Sequence, residues 1–585
     1  MHIYQLKVTR TIPILFATVL MLGLLILPNY SSVHAEASVI YVDADANAGG
    51  DGQSWGTAYQ HLQAALDEAS AGSGDYEIWV AEGIYTPTLE TSAGNPRSVA
   101  FTLVEGTSLY GGFSGSEDSR SQRDWENHLT ILSGDLAGDD LTDPGGLVRD
   151  TANIVGDNAH NVLIGGGVSA SVELDGFTVT AGDAKVTGFN AGGGMYNESS
   201  SPTLTNLVFI GNMAKYGGGM LNYQGSTPSL THVSFYSNTA TTQGGGVLND
   251  GSAATFTDVT FENNFSDDYG GGAFNVNCSP SFTNVTFTGN SVTGRFSYGG
   301  GMYNQSTSAY LANVTFIANS AGLGGGMLNW KSNPSITAGL FYANTAYEGG
   351  GIYSDDSDLT ITATSFLGNT AIYNGGGIYN TSSKPELVNV LFSGNSAGDY
   401  GGGLFMTGPY DKPDLINVTF SGNQAGDNGG GMSNYGNQPS LVNTLFWGNT
   451  APSGSQIYNH DTLAKIAYSD VQGSGGSGPG WNLAVGLDMG GNIDADPGFV
   501  DADGPDNTFG TPDDNARLSG TSAAIDAGDN TAVPGSISTD LAGNPRFVDI
   551  VSVPDSGNGS APYVDMGAYE TQLVDFFVFL PLNSR

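Results

Sequence analysis

The sequence predicts an all-β fold, a right-handed parallel β-helix, from three features that recur between residues 192 and 449. A Gly-Gly-Gly triplet returns ten times, at spacings of 25 to 29 residues. A Phe-x-x-Asn motif stands between successive triplets, and an apolar residue precedes each of its phenylalanines by five positions. Repeats of this length are typical of solenoids, in which each coil buries its apolar face only by stacking on its neighbours.

The repeating positions predict which residues share a column of the solenoid. The triplets begin at Gly192, Gly217, Gly244, Gly270, Gly299, Gly324, Gly349, Gly375, Gly401 and Gly429. The phenylalanines are Phe209, Phe235, Phe261, Phe287, Phe316, Phe341, Phe366, Phe392, Phe420 and Phe446. The asparagines that follow them are Asn212, Asn238, Asn264, Asn290, Asn319, Asn344, Asn369, Asn395, Asn423 and Asn449. Because stacked coils lie about 4.8 Å apart, we expect an interior column of rings and a ladder of paired amides.

Each repeat has room for three short strands, since its apolar stretches are too short for helices and turn-forming residues separate them. We therefore expect about ten regular coils of roughly 26 residues, with irregular coils at both ends. Residues 57–70 have the periodicity of an amphipathic helix with Leu62, Ala65, Leu66 and Ala69 on one face. This short helix is the expected N-terminal cap, because an uncovered solenoid end would pair with other chains.

The chain divides into five predicted parts. Residues 1–35 have a basic start, an apolar run and a final Val-His-Ala, which together are typical of a secretory signal peptide. The other parts are an N-terminal cap with irregular first coils (36–150), the β-helix repeats (151–460), a C-terminal cap or surface-anchor-associated region (461–570) and a tail (571–585). No segment after the signal peptide has the length and hydropathy of a transmembrane span. We therefore expect an exported protein, extracellular or at the cell surface.

Composition and charge exclude several classes of protein. The 585 residues include 57 acidic and 16 basic side chains, for a net charge of -41. Nucleic-acid binding needs clustered Lys and Arg and is therefore excluded. A single cysteine excludes an intrachain disulfide framework and a cysteine-based metal site. We expect a monomer whose partners are glycans or another surface ligand.

The repeats resemble those of the chlamydial polymorphic outer-membrane proteins, which carry Gly-Gly-Ala-Ile and Phe-x-x-Asn motifs. Here the motifs read Gly-Gly-Gly-Met-Tyr-Asn at 192–197 and Phe-Ser-Gly-Asn at 392–395 and 420–423. The resemblance covers roughly residues 160–460 and implies a β-helical surface protein, associated with the outer membrane if the source has two membranes. The helix-then-strand start is similar to that of secreted pectate-lyase-like proteins.

Four motifs near the C-terminus form a second resemblance. They are Asp-Ala-Asp-Pro-Gly-Phe-Val-Asp (494–501), Ser-Ala-Ala-Ile-Asp-Ala-Gly (522–528), Asp-Leu-Ala-Gly-Asn-Pro-Arg (540–546) and Val-Asp-Met-Gly-Ala-Tyr-Glu (564–570). Together they resemble the choice-of-anchor Q region of bacterial surface β-helix proteins. The resemblance implies an exported, surface-associated protein and, by itself, no enzymatic activity.

One acidic loop is the best candidate for a metal site. Asp501, Asp503, Asp506, Asp513 and Asp514 lie close together around Gly-containing turns. Such a loop offers the several oxygen ligands that Ca²⁺ requires. The alternative is a solvated acidic turn, because Asp and Gly are both common turn formers.

The sequence signal for a catalytic site is weaker than the signal for the metal site. Uronate lyases of the resembled fold use calcium-bound carboxylates with an Arg or Lys base. Asp267 and Asp268 precede one triplet, and Arg295 lies in the equivalent loop of the next coil, so the three could be neighbours. The alternative is a surface ion pair, which contributes little to stability.

A stripe of aromatic residues is the candidate ligand site. Tyr216, Tyr269, Tyr298 and Tyr400 directly precede Gly triplets. Stacked one per coil, their rings could form a platform for a glycan chain, or they could simply pack the corner of the coil. Because no single coil carries a distinctive polar cluster, the sequence favours a non-catalytic adhesin or glycan-binding scaffold. The alternative is a calcium-dependent polysaccharide lyase or glycoside hydrolase of the pectate-lyase-like fold.

Overall fold

The computed structural model describes residues 37–185, 190–408 and 412–572. The chain winds as a parallel β-helix in which strands of successive coils pair in parallel, and the predicted fold class is confirmed. The predicted signal peptide and most of the 571–585 tail lie outside the described residues. The coils begin with the strand Ser38–Val42 and continue to Leu487–Asp488, beyond the repeats recognised in the sequence.

One sheet, here called the triplet sheet, has 13 strands, most of which directly follow a Gly triplet. Its strands are Phe101–Thr102, Leu163–Gly166, Met195–Glu198, Met220–Tyr223, Val247–Asp250, Ala273–Val276, Met302–Gln305, Met327–Trp330, Ile352–Asp355, Ile378–Thr381, Leu404–Thr407, Met432–Tyr435 and Ile457–His460. Neighbouring strands keep the register of the repeat, so that Met302 pairs with Met327 and Asn304 with Asn329. Each motif position therefore recurs as a column along the rod.

A second sheet, here called the wide sheet, has 25 strands and receives up to two strands from each coil. Its strands are Ser38–Val42, Tyr76–Ala81, Gly83–Tyr85, Thr107–Phe113, Thr130–Ser133, Glu173–Asp175, Phe177–Thr180, Thr203–Thr205, Val208–Ile210, Ser229–Thr231, Ser234–Tyr236, Thr255–Thr257, Thr260–Glu262, Ser281–Thr288, Tyr310–Ile317, Ser335–Thr337, Leu340–Tyr342, Thr360–Leu367, Glu386–Ser393, Asp414–Ser421, Ser440–Val442, Leu445–Trp447, Lys465–Ala467, Asp470–Val471 and Leu487–Asp488. Where a coil contributes one eight-residue strand, the wide sheet is continuous across the position at which other coils turn.

Short strands close the coils between the wide sheet and the triplet sheet. They form a five-stranded sheet (Asp183–Ala184, Met213–Tyr216, Thr239–Gln243, Phe265–Ser266, Ser291–Val292) and a four-stranded sheet (Thr345–Ala346, Thr370–Ala371, Ser396–Ala397, Gln424–Ala425). An antiparallel pair, Phe499–Asp501 and Asn515–Leu518, lies in the C-terminal region. The 3-10 helices are Trp55–Thr57, Pro96–Ser98, Arg120–Gln122, Thr151–Asn153 and Asn530–Ala532.

The predicted interior column of rings is confirmed. The ten phenylalanines of the Phe-x-x-Asn motif are fully buried, and consecutive rings stack with centroids 4.3 to 5.0 Å apart. The apolar residues five positions earlier form a second buried column. The spacing between coils of a parallel sheet is close to the centroid separation that stacked aromatic rings prefer. A phenylalanine at the same position of every coil can therefore stack without disturbing the strand pairing.

The predicted ladder of amides is also confirmed. Oδ1 of Asn319 accepts hydrogen bonds from the backbone N–H and from Nδ2 of Asn290, both at 3.0 Å. Nδ2 of Asn319 donates to Oδ1 of Asn344 at 2.9 Å and to the carbonyl oxygen of Phe287 at 2.9 Å. Each buried amide therefore finds partners one coil away on both sides, which offsets the cost of burying it.

A second amide ladder runs along the triplet sheet, two residues after the Met position. Nδ2 of Asn304 donates to Oδ1 of Asn329 at 2.9 Å. This ladder is interrupted where Ser354 and Met406 replace asparagine. As a result, Nδ2 of Asn329 and Oδ1 of Asn380 are buried without hydrogen-bond partners.

The N-terminal cap is the helix Leu62–Ala71, whose predicted apolar face is buried against the first coils. The helix begins five residues later than the sequence pattern suggests, because the 3-10 turn Trp55–Thr57 and extended backbone at His61 precede it. Two strands follow the helix, Tyr76–Ala81 and Gly83–Tyr85, and the break at Glu82 is next to Gly83, whose φ of +146° differs from strand geometry.

The C-terminal region folds back along the rod and packs on the outer face of the wide sheet. Nδ2 of Asn389 donates to the carbonyl oxygen of Thr539 at 2.8 Å, and the backbone N–H of Ala568 donates to Oγ1 of Thr419 at 3.0 Å. An apolar cluster buries the interface. Its buried members are Leu445 of the rod and Leu518, Ala524, Ile525, Ala527, Ile550 and Met566 of the C-terminal region.

Candidate functional site

The corner between the short-strand sheets and the triplet sheet is fixed by the Gly triplets. The first glycine of each triplet has a positive φ, for example +67° at Gly299, a conformation that residues with a Cβ rarely adopt. A Cβ on Gly300 would lie 2.4 Å from the carbonyl oxygen of Gly325 in the next coil. The triplets therefore allow close stacking of the coils. The side chain before each triplet and the side chain two positions after it lie on the outside of the rod, while the one directly after it is buried.

Two columns of outward-facing side chains flank this corner. The first column holds the residues that precede the triplets, and bridges join them from coil to coil: Ala191, Tyr216, Gln243, Tyr269, Tyr298, Leu323, Glu348, Asn374, Tyr400, Asn428 and Ser453. The second column follows the Met position: Tyr196, Leu221, Leu248, Phe274, Tyr303, Leu328, Tyr353, Tyr379, Phe405, Ser433 and Tyr458. The aromatic stripe predicted from the sequence thus exists as an ordered surface feature.

Rings in the two columns stack on one another along the rod. Tyr269 and Tyr298 have centroids 5.3 Å apart and are nearly parallel, while Phe274 and Tyr303 in the second column are 4.8 Å apart. Phe274 and Tyr303 are buried, whereas Tyr269 and Tyr298 are half-buried. Burial raises the pKa of Tyr303 and, less strongly, that of Tyr269. In these coils the first column therefore presents the more accessible ring faces.

Tyr400 belongs to a second aromatic group near the far end of the same stripe. Its ring lies 5.5 Å from that of Tyr435, and Tyr435 in turn stacks on His460 at 4.8 Å. Between the two groups the first column becomes polar at Glu348 and Asn374. Burial raises the pKa of Glu348, while the Asn374 side chain and the charge of Arg295 oppose that shift.

A cleft of about 590 Å³ opens on this surface at the start of the stripe, beside the first regular coils. Tyr196, Tyr216 and Tyr223 provide its aromatic wall. Its polar lining comes from Asn161, Asn190, Gln243, Asp250 and Thr91. Aromatic faces beside a few convergent amide and carboxylate groups are the arrangement in which sugar rings stack while their hydroxyl groups find hydrogen-bond partners.

The cleft contains residues that the sequence pattern did not single out. Gln243 could have been found, because it occupies the same position before a triplet as Tyr216. Asn161 and Thr91 come from irregular coils before the repeats, and no periodic signal marks them. Nδ2 of Asn161 donates to the carbonyl oxygens of Ala191 and Gly192, so this side chain also holds the first triplet in place.

The catalytic candidates Asp267, Asp268 and Arg295 lie in loops of two successive coils. Asp267 and Asp268 are exposed, but partial desolvation of the Asp267 carboxylate, together with the charge of Asp268, raises the pKa of Asp267. The guanidinium of Arg295 lies over the rings of Tyr373 and Tyr347, at 5.2 and 5.9 Å. In the described part of the chain, no ion pair joins Arg295 to either aspartate. A catalytic role for these three residues stays a prediction.

The acidic loop around 501–514 packs against the rod. Oδ2 of Asp514 accepts hydrogen bonds from Oγ of Ser393 and from the backbone N–H of Gly510, and Gly510 itself lies against Gly368 and Gly394. Oγ1 of Thr511 donates to the carboxylate of Asp513. Asp514 thus attaches the loop to the wide sheet.

The remaining predicted ligands, Asp501, Asp503 and Asp506, lie at the exposed or half-exposed end of this loop. Over the residues that the structure describes, no three carboxylates of the loop come within 4.8 Å of one another. The calcium site predicted here remains a prediction.

Comparison with protein families agrees with the repeat. The family model of the Chlamydia polymorphic membrane protein repeat matches residues 363–381 and 389–407. These segments contain the strands and Phe-x-x-Asn turns of two successive coils, so the resemblance of the repeats is confirmed over this part of the chain. No curated protein matches the sequence.

Among solved structures, the chain is similar to the crystal structure of pectate lyase Pel9A, at 10% sequence identity and a TM-score of 0.28. The similarity covers 91% of this chain and 96% of that one. Within the described residues, no helix has the length and hydropathy needed to cross a membrane.

Proposed function

We propose that the protein is an exported, cell-surface β-helix that binds glycans without catalysis, acting as an adhesin or binding scaffold. The observation that carries this proposal is the cleft at the start of the aromatic stripe, where Tyr196, Tyr216 and Tyr223 meet the polar side chains of Asn190 and Gln243. A sugar chain seated there would continue onto the half-buried rings of Tyr269 and Tyr298.

The charge of the chain restricts the glycan class. Asp250 lines the cleft, Glu198 accepts a hydrogen bond from the Tyr196 hydroxyl at 3.3 Å, and the whole chain carries a net charge of -41. A polyanionic chain would be repelled by this field unless cations bridged it. A neutral hexose polymer is therefore the favoured ligand.

Export and surface location rest on three supports. The predicted signal peptide provides a route out of the cytoplasm. The matched repeat is named for membrane proteins of Chlamydia. The C-terminal motifs resemble an anchor-associated region of bacterial surface proteins. The proposed state is a monomer, because the regular rod is covered by the Leu62–Ala71 helix at its start and by the C-terminal region along its last coils.

The test is binding of the chain from Glu36 onward to an array of neutral and acidic polysaccharides. Tyr216→Ala and Tyr196→Ala should each lower affinity by about two- to tenfold, since stacking on one ring contributes about 0.5–1.5 kcal/mol. Tyr310→Ala is the matched control, because Tyr310 is 51% exposed but lies on the wide sheet. Equal binding by all three variants would contradict the proposal.

The same array distinguishes the enzyme alternative. Release of unsaturated or reducing-end products, abolished by Asp268→Ala or Arg295→Ala, would place the protein among the lyases or hydrolases. Binding without product release supports the scaffold. The absence of both glycan binding and product release would overturn the proposed ligand class.

A further inference from the structure

The C-terminal motifs build a buried network of ionisable side chains that the glycan proposal does not use. Asp526, Asp540, Arg546, Asp565 and Glu570 are each no more than 2% exposed. Four carboxylates therefore share one guanidinium inside this region. Such an imbalance of buried charge is costly unless hydrogen bonds or another cation compensate it.

Three of the four carboxylates are compensated by the protein itself. Both oxygens of Asp540 accept backbone N–H groups, from Ala542 and Asn544 on one oxygen and from Glu570 on the other. Both oxygens of Asp565 are likewise occupied, one by the N–H of Asp526 at 2.8 Å.

Glu570 accepts the N–H groups of Val548 and Asp565 and faces Nε of Arg546 at 3.6 Å. The Arg546 guanidinium also donates to the carbonyl oxygens of Asp565 and Gly567 at 2.9 and 2.6 Å. These contacts bind the last motif to the Asn-Pro-Arg motif, so the single arginine is already engaged at Glu570.

Asp526 is the one carboxylate of the four that the protein does not fully compensate. Its Oδ2 accepts the backbone N–H of Ile550 at 3.1 Å, but its Oδ1 is buried and has no hydrogen-bond partner. The carboxylates of Asp549 and Asp555 approach the Asp526 carboxylate, so that one oxygen from each of the three residues lies within 4.8 Å of the others. Burial, together with the charges of Asp565, Asp549 and Asp555, raises the pKa of Asp526 to about 6.

We propose that Asp526, Asp549 and Asp555 bind a divalent cation of the calcium type. Ca²⁺ binds carboxylate oxygens at about 2.3–2.6 Å, so oxygens that lie within 4.8 Å of one another can all reach one ion. The ion would supply the partner that the buried Oδ1 of Asp526 lacks, while the exposed Asp549 and Asp555 would leave positions open for water. The site lies outside the 501–514 loop and was not indicated by sequence spacing.

A second group of three aspartates shows that close carboxylates alone do not indicate a cation site. Asp135, Asp139 and Asp140 also lie within 4.8 Å of one another. There, however, Asp135 accepts the backbone N–H groups of Gly138, Asp139 and Asp140, and Asp140 accepts from Val155 and Asn158. These carboxylates are satisfied by the chain itself, so the group serves as an acidic control.

The ion would attach the loop 549–556 to the motif around Asp526. That loop contributes Ile550 and Val553 to the apolar cluster between the C-terminal region and the rod. The backbone N–H groups of Ser556 and Gly557 already donate to the carbonyl oxygen of Asp526, at 3.1 and 3.0 Å. Binding would therefore stabilise the C-terminal region in its docked position.

The experiment is calorimetric titration of Ca²⁺ into the chelator-treated chain from Glu36 onward, with thermal unfolding measured in parallel. We expect one site that Asp549→Asn and Asp555→Asn each weaken at least tenfold, and an upward shift of the unfolding midpoint that the double variant loses. Both substituted residues are exposed, so the variants should fold. Asp139→Asn is the matched control and should bind as the unsubstituted chain does.

A double Asp503→Asn, Asp506→Asn variant separates this site from the 501–514 loop. Binding that disappears in that variant, but persists in the Asp549 and Asp555 variants, would overturn the proposal and favour the loop. Failure to bind millimolar Ca²⁺ or Mg²⁺ would also overturn it. Because no glycan is present, these outcomes are independent of the proposed glycan binding.

Discussion

Asn443 and Asp529 exchange two hydrogen bonds across the interface between the rod and the C-terminal region. Oδ1 of Asn443 accepts the backbone N–H of Asp529 at 2.6 Å, and Nδ2 of Asn443 donates to the carbonyl oxygen of Asp529 at 3.1 Å. The side-chain amide thus pairs with the backbone as a neighbouring strand would. A position that recurs in every repeat is used here to dock a segment that does not repeat.

Replacing this amide should loosen the docked region without unwinding the rod. In Asn443→Ala, both backbone groups of Asp529 lose their partner, and we expect a loss of about 1–3 kcal/mol of local stability. Hydrogen exchange at residues 526–530 should accelerate. Asn313→Ala is the matched control, because Asn313 has the same left-handed backbone but is exposed and bonds only to Asn284. Equal acceleration in both variants would contradict the docking role.

The phenylalanine column should carry much of the stability of the rod. Phe316 is fully buried between Phe287 and Phe341, with both centroid distances at 4.7 Å. Phe316→Ala should lower the free energy of unfolding by about 3–5 kcal/mol through lost burial and a residual cavity. Phe296→Ala, at a ring that is 78% exposed, should change it by less than about 0.5 kcal/mol. Denaturant unfolding of the two variants measures the difference.

Restoring the interrupted ladder should stabilise the protein. Ser354→Asn would place an amide between Asn329, whose Nδ2 lacks an acceptor, and Asn380, whose Oδ1 lacks a donor. Two buried polar atoms would gain partners at once, for an expected gain of about 1–2 kcal/mol. A rise in the thermal midpoint checks this. Ser354→Ala should give no such rise, and an unchanged or lower midpoint for Ser354→Asn would show that the coil cannot admit the larger side chain.

Asp470 should make stability fall as pH rises. Its Oδ2 is buried without a partner, and burial, with the charges of Asp494 and Asp496, raises its pKa to about 8. Because the folded pKa exceeds the unfolded value of 3.8, the unfolded chain loses the proton first as pH rises. The stability cost therefore grows between about pH 4 and pH 8 and is constant above that range.

The substitution Asp470→Asn should remove this dependence, because asparagine keeps the oxygen that accepts the N–H of Ala495 but carries no charge. We expect the variant to be more stable than the unsubstituted chain at pH 8, by a few kcal/mol, and nearly equal to it at pH 4. Thermal midpoints between pH 4 and pH 9 provide the measurement. Parallel curves for the two proteins would exclude Asp470 as the source.

The sequence was sufficient for the rod because each repeat position meets its own counterpart one coil away. Phe316 faces Phe341, and Asn319 faces Asn344, so periodicity alone predicts these contacts. The same reasoning placed Tyr269 over Tyr298. It left open whether those rings are accessible, because exposure depends on which neighbouring side chains cover them.

The docked region could not be predicted in this way. Asn389 and Thr539 are 150 residues apart, and no repeated spacing joins them. Asp526 is likewise distant in sequence from Asp549 and Asp555, so no local motif predicts that the three meet. The 501–514 loop was predicted as a metal site because its aspartates are close together in sequence. Closeness along the chain indicated a metal site or an acidic turn there, while the carboxylates that converge on Asp526 come from a separate loop, 549–556.

The docking of the C-terminal region also limits how the length of the rod can change. Its hydrogen bonds to Asn389, Thr419 and Asn443 lie on three consecutive coils, so loss of one of these coils would shift every later contact out of register. Coils in the middle of the rod are held mainly by their neighbours. Gene duplications or deletions of one 25- to 29-residue unit should thus be tolerated there, which would vary the reach of the protein while both ends stay intact.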